Sequence, residues 1–388
     1  MSGTQTRAHP CGIRSAWTEA VDAREAASEI ARVVAGGDVG QLLVFFSLAY
    51  DAADLAAALA ARFPGIPVAG CSTSGGISPA GAIDRGLVAI AFPRTGFRVV
   101  TAVLPDIDRL DVEGAAASVR ALRAKLDDGR SDCDAGRRFA LSLIDALAFA
   151  EETVVSAVAW ALDGIPLVGG SAGDDLAFEG TVLIHDGRLY RNAAVVVLVE
   201  TDYPVRIFKS DNFEPTGQRF VVTAATEELR RVHELNAEPA SHEYATALGL
   251  DPAHLTPMSF AAHPLVVRIG GEYFCRSISR LEPDGSLTFF CAISEGVVLA
   301  LAQARDLVEA TRTELDALDE ALGGIDLVIG FDCVLRRLDA QGRQVRHRIA
   351  ELYRRYNVVG FETYGEQYRS MHLNQTFTGI AIGRARTP

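Results

Sequence analysis

The stretch Asn357–Gly383, NVVGFETYGEQYRSMHLNQTFTGIAIG, reads as a short apolar strand, a polar loop and a second apolar strand. The loop collects Glu362, Thr363, Tyr364, Glu366, Gln367, His372, Asn374, Gln375 and Thr376. So many donors and acceptors between two buried strands have one of two uses. They form a ligand site, or they satisfy the loop's own backbone. The residues alone leave both open.

Working outward, the same plan occurs twice earlier. A buried strand at 41–48 is followed by an Ala/Leu-rich helix at 52–62, for which Asp51 is a fitting N-cap. Ile66–Ala69 then runs into Gly70-Cys71-Ser72-Thr73-Ser74-Gly75-Gly76, and a strand at 87–92 follows. The second copy has a strand at 138–143, a helix at 150–162, Ile165–Val168 running into Gly169-Gly170-Ser171, and strands at 181–185 and 193–199. Gly65-Ile66-Pro67 aligns with Gly164-Ile165-Pro166, and Gly70 with Gly169, at equal spacing, which points to duplication. The third copy comprises a strand at 326–331, a helix at 346–356, and the opening stretch, where Gly360 and Gly365 have the spacing of Gly70 and Gly75. A glycine right after a buried strand implies positive φ or a close backbone approach. The fold class expected is α/β, with repeated β-α-β-β units forming mixed sheets.

Other material flanks the copies. Residues 1–15 read as a loose tail. A helix is expected over 22–34, stopped by Gly36-Gly37. Between the second and third copies, strands are expected at 203–209, 218–223, 263–268, 273–279 and 287–293, with helices at 240–248 and 297–322. The chain divides somewhere in 200–240.

Composition excludes several classes. Of 388 residues, 49% are hydrophobic and 22% charged, so the chain buries a core. A net charge of -13 without a Lys/Arg cluster argues against nucleic acid. The longest apolar runs are strand-length, too short to span a membrane, and Met1–Ser15 lacks a secretory apolar region, so a cytoplasmic protein is expected. None of the six cysteines forms a C-x-x-C pair. Cys275 and Cys291 flank an expected hairpin turn at 282–285 and should lie near each other; the register decides whether they share a face.

Gly169-x-Ser171-x-Gly173 matches the hydrolase nucleophile elbow, but no helix follows the serine. Cys71 has no base partner and reads as a packed thiol. Arg336, just beyond the strand that opens the third copy, would anchor a ligand carboxylate bidentately or pair with Glu362 or Glu366 as structure. Of eight histidines, His372 is the best ligand candidate and His263 the second.

The motifs at 66–76, 166–174, 234–240, 331–336, 360–366 and 374–376 together resemble the FIST family of bacterial sensory domains, N-terminal and C-terminal parts in tandem. The resemblance implies a FIST N domain over 36–232, a FIST C domain over 233–383, and a ligand-sensing protein that is not an enzyme. The run Met371–Gly379 is similar to the ending of the haem-binding, nitric-oxide-sensing members. Those regulate a partner histidine kinase or cyclic-di-GMP enzyme, and the chain shows no kinase, cyclase or methyl-accepting segment. On that reading haem is the cofactor and His372 its axial ligand. On the alternative, a receptor for a small polar metabolite such as an amino acid, Arg336, Thr363, Glu366 and Asn374 hold the charged ends, and Glu362 and Tyr364 complete the site.

Overall fold

The computed structural model describes residues 4–34, 38–127 and 137–384. The Gly36-Gly37 helix stop and Cys133 lie outside them.

Three units repeat around one core. In the first, a sheet runs in the order Gln5–Ala8, Arg14–Thr18, Leu87–Pro93, Val39–Phe46, Val68–Ser72, Leu183–His185, Arg188–Tyr190. The second runs Phe97–Pro105, Ala193–Thr201, Arg138–Ile144, Leu167–Ser171, Glu366–Tyr368, Met371–Leu373. The third runs Val205–Ser210, Phe377–Gly383, Ile325–Cys333, Val358–Thr363, Gly76–Ser78, Gly81–Ile83. In each, two central strands are parallel and the rest antiparallel.

The last two strands of every sheet come from another unit. The hairpin of the second unit pairs with the first sheet (Leu183 opposite Cys71). That of the third pairs with the second sheet (Gln367 opposite Gly169), and that of the first with the third sheet (Ile77 opposite Gly360). The exchange closes a ring.

The central strands are apolar on both faces because both are covered. Leu43, Phe45, Leu141, Leu143, Ile329 and Phe331 point inward, where the three sheets share one core. Leu42, Val44 and Phe46 point outward beneath the helices Ala23–Val34 and Ala52–Arg62. The helix pair Val112–Asp127 and Glu151–Leu162 covers the second sheet, and Leu307–Leu322 with Arg346–Arg355 covers the third. Asp51 caps its helix as expected, accepting from Asp54 N.

The glycines at the second parallel strand have a common cause. A Cβ on Gly70 would lie 2.0 Å from the Val44 carbonyl oxygen, on Gly169 2.2 Å from that of Ser142, and on Gly360 1.8 Å from that of Gly330. Close approach of the neighbouring strand, not positive φ, excludes a side chain there.

The third unit differs by an insertion. Residues 213–304 leave after the strand Val205–Ser210, build a separate eight-stranded sheet with the helices Ala240–Leu248 and Pro257–Ala262, and return at Leu307. Three expectations are corrected here. The helix expected over 297–322 is the strand Val298–Ala304 followed by the helix Leu307–Leu322. Val298–Ala304 pairs on both edges, and Asp306 restarts the chain as an N-cap, accepting from Val308 N and Glu309 N. Residues 5–18 are not a loose tail but two paired strands, anchored by Cys11 N donating to Asp326 Oδ2 at 2.6 Å. Cys275 and Cys291 belong to separate apolar clusters and are free thiols, because the turn at 282–285 joins Ile278–Leu281 to Leu287–Phe289 and leaves Cys275 on another hairpin.

Candidate functional site

In the third sheet, Asp332 and Glu362 are register partners near the C-terminal ends of parallel strands. That end of an open α/β sheet is where ligands commonly bind. Two buried carboxylates side by side need cations. The helix Val334–Gly342, which starts directly after the first strand, supplies Arg336 and Arg337.

Arg336 Nε donates to Asp332 Oδ1 at 2.6 Å and Nη2 to Thr311 Oγ1 at 2.9 Å, while Tyr353 donates its hydroxyl to Asp332 Oδ2 at 2.6 Å. Arg337 Nη1 lies 2.9 Å from Glu362 Oε2 and donates to the Ser74 carbonyl at 2.6 Å. Arg336 thus pairs with Asp332, and the expected pairing with Glu362 or Glu366 is corrected. The direct strand-to-helix join sets the choice: Asp332 stands at the end of the strand and Arg336 lies in the first turn of the helix that follows, so the two side chains meet.

These residues enclose a cavity of about 410 Å³, within the range of small-ligand sites. Its charged wall holds three ion pairs: Asp332–Arg336, Glu362–Arg337, and Asp84–Arg346 at 2.5 Å. Its apolar wall includes Ile77, Leu307, Ile349 and Tyr353. Ile77, Ala82 and Asp84 arrive from the first unit, so the hairpin exchange completes the site.

Burial pushes the Glu362 carboxyl up to about 7; Arg337 pulls against this and Asp332 adds to it. Burial works against the Arg336 charge, but Asp332 beside it more than restores it, so its pKa stands above the ordinary value. Arg336 Nη1 is buried and makes no well-formed hydrogen bond, although the Tyr353 hydroxyl stands beside the guanidinium.

Of the site residues read from the sequence, Arg336 and Glu362 line this cavity and the others do not. Thr363 donates to Glu366 Oε1, and Thr376 donates to Glu366 Oε2 from its amide at 3.1 Å and its hydroxyl at 2.8 Å. All three are buried, and burial pushes Glu366 up to about 8. Tyr364 donates to Asp174 and accepts from Leu176 N at 2.6 Å; burial, then Asp174, raise its pKa. The Asn374 amide is buried with no protein partner at either end. Asp84, Arg337, Arg346 and Tyr353 escaped the sequence reading. Asp332-x-x-x-Arg336-Arg337 was the available signal, an acid and a base one helical turn apart just past a buried strand.

His372 fits haem poorly. Its side chain is fully enclosed, with Nε2 3.3 Å from the Phe290 carbonyl oxygen and 4.0 Å from Glu151. A Cβ on Gly365 would fall 2.3 Å from its Cε1, and the ring lines none of the cavities described. Its Nδ1 has no partner, but an axial histidine also needs an open apolar slot in front of its free nitrogen. His263 lines no described cavity either.

The G-x-S-x-G match has a packing origin. Ser171 Oγ accepts from Gln367 Nε2 at 3.0 Å, and a Cβ on Gly173 would meet Ser74 Oγ at 2.3 Å. Burial raises the Cys71 pKa, as befits an inert packed thiol.

Two family models match the chain. The FIST N domain matches residues 41–238 and the FIST C domain matches 240–369. The chain belongs to the FIST family. FIST domains are sensory modules of signal transduction, not catalytic ones. The chain is also similar to the uncharacterized protein MJ1623 of Methanocaldococcus jannaschii, at 26% identity over 251 residues. That match covers 56% of this FIST protein and 48% of its relative, so the chain spans about half the length of the curated relative it matches. Among the described residues, no helix is long and apolar enough to cross a membrane.

Proposed function

We propose that this FIST protein is a receptor for a small amphiphilic metabolite that carries a carboxylate, amino acids being the fitting class, bound in the cavity between the first unit's hairpin and the third sheet. The observation that carries this reading is Arg336: a buried guanidinium lining the cavity, with Nη1 making no well-formed hydrogen bond. A ligand carboxylate supplies one. Glu362 meets a ligand ammonium, and the wall of Ile77, Leu307 and Ile349 takes an apolar side chain. The output passes to a separate partner, of the histidine kinase or cyclic-di-GMP enzyme class that the resemblance implies. Haem-based nitric oxide sensing is the less favoured reading, because the surroundings of His372 leave no slot for the group.

Calorimetric titration with the L-amino acids and small dicarboxylates tests this. Binding by at least one, weakened tenfold or more by Ala82→Trp at the exposed edge of the cavity, is expected (on the order of 1.4 kcal/mol). Binding that Ala82→Trp leaves unchanged moves the ligand elsewhere. A stoichiometric Soret band after haem addition, lost in His372→Ala, reverses the preference between the two readings.

A further inference from the structure

The second unit has an oversized link between its second parallel strand and its hairpin. It spans 172–182, against 73–75 in the first unit and 364–365 in the third. Three non-glycine residues within it, Asp175, Leu176 and Phe178, have φ of 56°, 66° and 54°. Bulky side chains rarely adopt this left-handed conformation, and such a segment persists only where surrounding contacts impose it.

Those contacts are few and identifiable. Asp174 accepts from Phe178 N at 3.0 Å, Glu179 N at 2.7 Å and Gly180 N at 3.0 Å, and it also accepts from the Tyr364 hydroxyl. Phe178 stacks on Tyr364, with ring centroids 4.8 Å apart, and lies 6.1 Å from Phe290 of the inserted sheet domain. Leu176 N donates to the Tyr364 hydroxyl at 2.6 Å, and Arg337 Nη2 donates to Asp175 Oδ1 at 2.8 Å. Arg337 also lines the 410 Å³ cavity. Its side chain is 10% exposed and that of Asp175 70%, so one end of the pair is held inside and the other is free to leave. Arg337 Nε is buried without an acceptor, so the guanidinium is under-satisfied where it stands.

Arg337 therefore touches all three units: Ser74 in the first, Asp175 in the second, Glu362 in the third. We infer that the 174–180 loop reports occupancy of the cavity: a ligand carboxylate seated between Arg336 and Arg337 competes with Asp175 for Arg337, and the released loop withdraws Phe178 from Tyr364 and Phe290. The inference deepens the receptor reading and rests on it. The ligand's differential interaction with the two loop states supplies the shift, and the coupling is reciprocal, so loosening the loop must raise ligand affinity. The surface uncovered lies at the seam between the second unit and the inserted domain, beside the half-exposed Phe149 ring and Arg230, which is paired to Glu151 and Glu152.

Amide hydrogen exchange of residues 172–182 in the full chain tests this with three samples: wild type with and without L-glutamate or L-leucine, Asp175→Asn, and Ala350→Glu. The last tethers a carboxylate in the cavity, so its result does not depend on the free ligand's identity. Exchange is expected to be several-fold faster in Asp175→Asn, which keeps an acceptor but loses the charge, and about tenfold faster in Ala350→Glu, where the charge-assisted hydrogen bond is lost. Wild type with a bound amino acid should show the same increase as Ala350→Glu, and Asp175→Asn should bind that amino acid more tightly. Wild-type exchange in Asp175→Asn overturns the inference, because the tie then does not hold the loop. Faster exchange in Asp175→Asn but not in Ala350→Glu also overturns it, because the cavity then does not reach the tie. If neither amino acid binds while both variants exchange faster, the receptor reading fails for those ligands and the coupling stands.

Discussion

The third unit and the first two are built on one plan, yet they differ at the position that matters. Where the third sheet pairs Asp332 with Glu362, the equivalent register pairs are Phe46 with Ser72 and Ile144 with Ser171. The first two sheets close their strand ends with an apolar side chain and a hydroxyl. The third places two carboxylates there, and the arginines of the helix Val334–Gly342 neutralise them. Duplication thus gives the scaffold three times, and a site appears in the copy where charge replaced packing. The insertion at 213–304 sits in the same copy, so the third unit holds both the cavity and the added domain.

The feature common to the units gives the largest expected effect. Gly70→Ala, Gly169→Ala and Gly360→Ala each force a Cβ into a neighbouring carbonyl. Each should lower stability in urea unfolding by about 4 kcal/mol or more. Tolerance at Gly360 alone would break the equivalence of the third unit with the others.

The next effect separates the units. Asp332→Ala leaves Arg336 buried without its anion and should destabilise by about 3 kcal/mol or more. The double variant Asp332→Leu with Arg336→Met imitates the first two units; it should recover most of that stability and still lose the ligand. At the equivalent apolar position, Ile144→Val should lose only about 1 kcal/mol. Equal losses from Asp332→Ala and Ile144→Val would mean that the charge pair is ordinary packing.

A pH effect sharpens the same contrast. Glu362 and Glu366 keep their protons in the fold up to about 7 and about 8, against 4.5 for the free side chain. The folded state then binds more protons than the unfolded chain through that window. Stability should therefore fall as pH rises from about 5 to 8, by at most about 6 kcal/mol for the two groups together. In Glu366→Gln that fall should be shallower in urea titrations at successive pH values; an identical slope would exclude Glu366 as its source. Ligand affinity should move the other way, rising toward pH 8 as Glu362 ionises to meet an ammonium. The smallest expected change is the loss of that rise in Glu362→Gln.

The stretch at 357–383 showed how much a local pattern can carry. Its two strands, the spacing of Gly360 and the matching glycines of the earlier copies were legible, because strand periodicity and close backbone approach are local demands. The polar loop between them was legible only as a choice between two uses. The structure puts most of it to structural use: Glu366, Thr363 and Thr376 bond to one another, and Gln367 reaches across to Ser171. Arg336 and Glu362 were found because one follows a buried strand directly and the other stands at a strand end. Arg346 and Asp84 were not, because a surface arginine and a surface aspartate far apart in the chain carry no pattern.

By itself, the sequence determined the three-fold repetition, the buried strands, the family and the lack of a Lys/Arg cluster or of an apolar run long enough for a membrane-spanning helix. All of these follow from composition, spacing and short-range sterics. Only the tertiary structure decided that each hairpin crosses to a neighbouring sheet, that Ile77 and Asp84 meet Asp332 and Glu362, and that Arg337 ties three units together. A three-residue strand such as Gly76–Ser78 pairs with whichever edge the packing of the whole offers. Its own residues do not name that edge, and so the cavity was not legible until the ring was closed.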